Sequence, residues 1–133
     1  MNGREEAEHL LVLAKRHVGS LQETVHLQGF ADEDWGFLAQ QTIEKLLKAL
    51  WVLGGVNPPR THALDPLLDG VPAKSGTIAV PATLLDLEDF AVQARYDAEP
   101  LALPASRLQL LDELEQLLDQ VQQQLESEFP FGS

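Results

Sequence analysis

The sequence predicts an all-α protein, an up-and-down four-helix bundle with one additional short helix. Three observations carry this expectation. Apolar residues recur at alternating spacings of three and four in several segments, which places them on one side of a helix. Glycine and proline clusters separate those segments cleanly, and no alternating β-branched run exceeds Thr77–Val80. At 133 residues the chain fits one ordinary domain, so residues 1–133 are read as a single core.

The first helix is expected from about Arg4 to Leu27, with Ala7, Leu11, Ala14, Val18, Leu21 and Val25 as its buried stripe. Gly29 ends it. The cluster Asp32-Glu33-Asp34 then suits the first turn of a second helix, where carboxylates meet the positive end of the helix dipole. That helix buries Ala39, Ile43, Leu46, Leu50 and Leu53 and stops at Gly54-Gly55, with Pro58-Pro59 behind it. Thr61 as a cap and Pro66 in a first turn predict a short helix over 61–69. Residues 71–81, with two prolines and Gly76, read as a loop. A fourth helical segment is expected over Ala82 to Tyr96, turning Leu84, Leu87, Phe90, Ala91 and Ala94 inward, and Asp97 to Pro104 breaks it. Ser106 and Gln109 fit a capping box for a last long helix that buries Leu111, Leu114, Leu118, Val121 and Leu125. The tail after Glu128 carries Phe129 and Phe131 and is left open between packing back and fraying.

Composition narrows the chemistry. A hydrophobic fraction of 44% with 23% charged residues is that of a chain that folds. No apolar run reaches the roughly 20 residues that span a bilayer, and no secretory leader is recognised, so the expected location is the cytoplasm and no membrane partner is expected. With no cysteine, disulfides, thiolate metal sites and a cysteine nucleophile are excluded. The net charge of −12 argues against general DNA binding, which is driven by Lys and Arg neutralising phosphates. The charge is uneven. Residues 97–133 hold eight carboxylates against Arg107 alone, whereas between Trp35 and Leu64 Lys45, Lys48 and Arg60 face only Glu44, with His62 nearby. An anionic ligand would meet this second stretch.

On the second helix Gln41, Glu44, Lys45 and Lys48 follow i, i+3, i+4, i+7 spacing and share a face apart from the apolar stripe. Two readings stand side by side: a solvated face with one Glu44–Lys48 pair, or a polar binding surface on a rigid rod. His62 reads as a hydrogen-bonded loop residue or as a phosphate contact. His9, His17 and His26 are too widely spaced for a helical metal pair, so no metal or cofactor is expected. Trp35, Phe37 and Trp51 read as core or interface aromatics rather than a nucleobase platform. Arg95 and Tyr96 close the fourth segment, where a cation suits the negative dipole end. No glycine-rich phosphate loop or serine nucleophile motif is present.

The run Gln40-Gln41-Thr42-Ile43-Glu44-Lys45-Leu46-Leu47-Lys48-Ala49 resembles the QQ-x-x-E-K-x-x-K-A helix of the HEPN family (higher eukaryotes and prokaryotes nucleotide-binding domain). Thr61-His62-Ala63-Leu64 followed by Leu67-Leu68 is similar to the family's T-H-D-L and L-L stretch, and Ala94-Arg95-Tyr96 to its A-R-Y-P element. Each motif is short, and their order over nearly the whole chain is what makes the resemblance. It implies an up-and-down helical bundle, frequent homodimerisation, and association with small nucleotidyltransferases or toxin–antitoxin modules. By the same resemblance Gln41, Glu44, Lys45, Lys48, Arg60, His62, Arg95 and Tyr96 are candidates for binding a nucleotide or a protein partner.

The chain also departs from the family. Catalytic members are metal-independent ribonucleases with an Arg, four to six residues, then a His late in the bundle. After Arg95 those positions hold Pro100, Leu101 and Ala102. Arg4 and His9 have the spacing but lie in the first helix among Glu5, Glu6 and Glu8. Asp97 stands where proline follows the Arg-Tyr pair, and Ala63 where an acidic residue follows the histidine. The expectation is therefore a non-catalytic binding and oligomerisation module, a homodimer with a nucleotidyltransferase as possible partner and no catalytic residues assigned. A ribonuclease toxin and a bare homodimeric scaffold are the alternatives.

Overall fold

The computed structural model describes residues 2–73, 78–91 and 101–128. All regular structure among them is helical: α1 (Gly3–Thr24), α2 (Asp32–Leu53), α3 (Leu64–Asp69), α4 (Ala82–Leu85), a 3-10 helix (Asp86–Ala91) and α5 (Arg107–Glu128). The fold class is the all-α bundle the periodicity predicts.

Each long helix begins for a chemical reason. The Asn2 side chain accepts the Glu5 amide at 2.8 Å and caps α1. α2 has no side-chain cap at Ala31 and relies on Asp32, Glu33 and Asp34 against its dipole. At α5 half of the expected capping box forms: Ser106 Oγ accepts the Gln109 amide at 3.1 Å, while the Gln109 side chain turns to Glu113 instead. α1 ends at Thr24, three residues before the expected Leu27.

α2 is the centre of the molecule. It packs against α1, α5, α3 and the 3-10 helix, and besides the expected stripe it buries Trp35, Gly36, Gln40, Thr42, Leu47, Ala49 and Val52. α1 runs back along it: the Trp35 indole N–H reaches the Leu21 carbonyl at one end, and Gly3 lies beside Val52 at the other. One hydrophobic cluster joins all the elements. In α5 the deepest residues are Leu110, Leu114, Leu117 and Val121, so the stripe is rotated from the expected one and Leu118 is only partly buried.

Two expectations need correction. The short helix starts at Leu64, not at 61. Thr61 caps nothing helical, and its Oγ1 instead accepts the Ala63 amide at 3.1 Å in a local turn. The Leu64 amide, left bare at the helix start, is taken at 2.6 Å by the Glu88 carboxylate. The fourth segment is not a continuous α-helix over its described part. Leu84, Leu87 and Phe90 are all buried at strict spacings of three, which is the period of a 3-10 helix, and α4 tightens into one at Asp86. The tighter winding lays Phe90 on Gly36 of α2, where an added Cβ would stand 2.5 Å from the ring. The rest of the expected segment, including Ala94, Arg95 and Tyr96, lies outside the described residues.

Candidate functional site

Every helix turn of α2 advances about 3.6 residues, so Gln40, Glu44 and Lys48 form one row along it. That row faces the loop between α2 and α3, and Glu44 is its hub. One carboxylate oxygen, Oε1, accepts from His62 Nδ1 at 2.8 Å and from Gln40 Nε2 at 3.2 Å. The other, Oε2, accepts from Lys48 Nζ at 3.0 Å. Gln40 Nε2 also donates to the His62 backbone carbonyl at 3.2 Å, so one buried amide holds both the carboxylate and the loop that carries the imidazole.

Burial and exposure divide sharply within this cluster. The Glu44 side chain is 12% exposed and Lys48 20%, whereas His62 is 70% exposed. Burial alone would raise the Glu44 pKa. The hydrogen bonds from His62, Lys48 and Gln40, with the charge of Lys48, outweigh it and hold the carboxyl below its ordinary range. Glu44 is thus an ionised, acceptor-only group at neutral pH.

The four-residue polar face is split by what each side meets. Gln41 is half-buried and outside the network. Lys45 faces α1, where burial and then the Lys45 charge lower the pKa of His17, whose Nε2 is buried without a hydrogen-bond partner. Arg60 is exposed two residues before His62 and makes no ion pair among the described residues. The expected Glu44–Lys48 pair forms, at 3.0 Å, but both side chains are largely covered rather than solvated, and Lys48 is already engaged. Arg95 and Tyr96, the remaining candidates, lie outside the described residues.

The aromatics behave as interior groups. The Trp51 indole N–H donates to the Leu67 carbonyl at 2.8 Å and its ring lies against Gly70, which fastens α3 to α2 close to the cluster. Trp35 is fully buried. Among the described residues no group of three or more histidines and carboxylates gathers as a metal site would. Arg4, the first member of the chance Arg–His spacing, pairs with Glu8 at 2.8 Å.

Two residues escaped sequence reasoning. Gln40 rather than its neighbour Gln41 belongs to the cluster, and its signal is that Gln40, Glu44 and Lys48 stand at spacings of four. Arg107 is the second: its guanidinium reaches the carbonyls of Thr24 at 2.7 Å, Leu27 at 3.2 Å and Phe30, and the Asp32 carboxylate at 2.7 Å, with the Trp35 ring 5.9 Å away. It borders a cleft of about 380 Å³ formed by the α1–α2 turn. No single residue spacing announces it, because most of its partners are backbone carbonyls.

No helix among the described residues is long and apolar enough to cross a membrane. No curated protein and no solved structure gives a significant match to the chain. The family model of the HEPN domain, however, matches residues 7–127, a span that takes in most of α1, the Glu44 cluster and nearly all of α5, and the chain therefore belongs to the HEPN domain family.

Proposed function

We propose that this chain is a non-catalytic binding and oligomerisation module that takes an anionic nucleotide, and through it serves as partner to a small nucleotidyltransferase or as one half of a toxin–antitoxin-like pair. The observation that carries this reading is the Glu44 cluster: a rigid, half-buried carboxylate hub on α2 holds one exposed imidazole at the edge of the most cationic stretch of an acidic protein. Arg60, two residues before His62, and Lys45, the neighbour of Glu44 along α2, would supply attraction, and Lys48 contributes by fixing Glu44. The sequence offers no late Arg–His pair for phosphodiester cleavage.

Calorimetry with ATP tests the reading. The wild type should bind, and Lys45→Ala with Lys48→Ala should weaken binding by about 1–3 kcal/mol, the range of lost charge-assisted hydrogen bonds. Equal affinity in the double variant would sink it, as would metal-independent cleavage of labelled RNA.

The module is proposed to work as a homodimer. Trp51, a core or interface aromatic by its sequence, is used internally against Leu67 and Gly70, so the pairing surface is sought elsewhere. Leu27 and Leu108, 54% and 57% exposed, are large apolar groups on the surface near the Arg107 end of the bundle. Sedimentation at tens of micromolar should show twice the 14.7 kDa chain mass.

A further inference from the structure

Which atom of His62 meets a ligand is decided by groups behind it. Glu44 is ionised and has nothing to donate, so the 2.8 Å contact with His62 Nδ1 requires the proton to sit on Nδ1. Gln40 is oriented by the same logic. Glu44 Oε1 and the His62 carbonyl are both acceptors, and the one Gln40 atom that lies 3.2 Å from each must be its NH2 nitrogen. Gln40 is 1% exposed, so it cannot trade these partners for water. Lys48 closes the remaining carboxylate oxygen at 3.0 Å and keeps Glu44 from swinging away.

We infer that Gln40 and Glu44 are positioning residues that hold the proton of His62 on Nδ1, so that whenever the imidazole is neutral its opposite nitrogen, Nε2, offers a lone pair and takes a hydroxyl or amine of the ligand. This rests on the reading of the Glu44 face as a binding site and assigns its ligand chemistry. In an imidazole held only by water either nitrogen can carry the proton. Here the carboxylate behind the ring makes the choice, and 70% exposure leaves the opposite nitrogen facing solvent. An anionic group on the same ligand is left to Arg60, which stands exposed two residues before His62. Glu44 meets the ring itself; Lys48 holds the other Glu44 oxygen, Arg60 stands two residues earlier on the same loop, and Glu88 of the 3-10 helix takes the next-but-one amide, at Leu64.

Nitrogen-15 correlation spectra of the histidine rings, recorded with the imidazole neutral, read the tautomer directly. His62 in the wild type should be in the Nδ1–H form. Gln40→Leu should give a mixture, and Glu44→Ala should pass to the Nε2–H form. An Nε2–H ring in the wild type overturns the inference whether or not the variants fold, and so does a tautomer unmoved in two folded variants. Added ATP, whose ribose hydroxyls and adenine amine are the donors on offer, should shift the Nε2 resonance while the Nδ1–H form persists. Calorimetric heat from ATP without an Nε2 shift overturns the donor assignment. If ATP gives no heat at all, the binding reading of the face fails, whereas the tautomer spectra still decide the positioning roles.

Discussion

Two charged residues each tie a loop to a helix in this protein, and they do it in opposite ways. Arg107 is enclosed: its side chain is 13% exposed, three backbone carbonyls and Asp32 take up its guanidinium, and Trp35 lies beside it. Glu44 is buried as deeply, yet one of its partners, His62, is open to solvent. Where a buried charge has every donor satisfied internally, nothing remains with which to meet a ligand, and its contribution goes to stability. Where the last member of the network is exposed, the same buried charge orients a group that the solvent side can use. The comparison separates a fastening from a site on hydrogen-bond saturation rather than on charge.

The largest effect expected from this difference is on stability at the closed end. Arg107→Met leaves the carbonyls of Thr24, Leu27 and Phe30 without their donor and should cost about 2–4 kcal/mol, discounted because Asp32 is half in water. Urea unfolding measures it, and a loss below about 1 kcal/mol would erase the contrast between the two clusters.

An intermediate effect is expected from acid. The native carboxyl of Glu44 lies below its ordinary value of 4.5, so the native state binds fewer protons there than the unfolded chain. Its stabilising contribution is fully present above 4.5 and is lost as pH falls through the depressed native value. Glu44→Gln should flatten the acid limb of the stability profile. An identical limb in both proteins would show that the hub adds no pH dependence to folding.

The smallest effect sharpens the comparison from the open side. Because its ring is mostly in water, His62→Ala should change stability by less than about 1 kcal/mol, although it removes the group proposed to touch the ligand. A melting curve that falls as far as that of Arg107→Met would place His62 with the fastenings.

Much of this architecture is legible in the sequence because it rests on local chemistry. The stripe Ala7 to Leu21, the stop at Gly54 and the Ser106 cap depend on residues a few positions apart, and periodicity reports them. The tightening at Asp86 was legible in principle, in the spacing of Leu84, Leu87 and Phe90, but a run of three such residues also suits an α-helix when read alone. Gln40 and Arg107 were not legible. The first is chosen over Gln41 by which side of α2 the returning loop covers, and the second bonds carbonyls roughly 80 residues away, which carry no side-chain signature.

That long reach of Arg107 bears on the order in which the molecule assembles. The α1–α2 pair is close in sequence and closes a short loop, so its apolar faces can meet early. Its turn stays unsealed until residue 107 arrives from the far end of the chain, 77 to 83 positions after the carbonyls it bonds. During synthesis the hairpin therefore waits, with three carbonyls at its turn still bonded to water, until the start of the last helix has left the ribosome. Completion of the first hairpin and docking of the final helix are then one event.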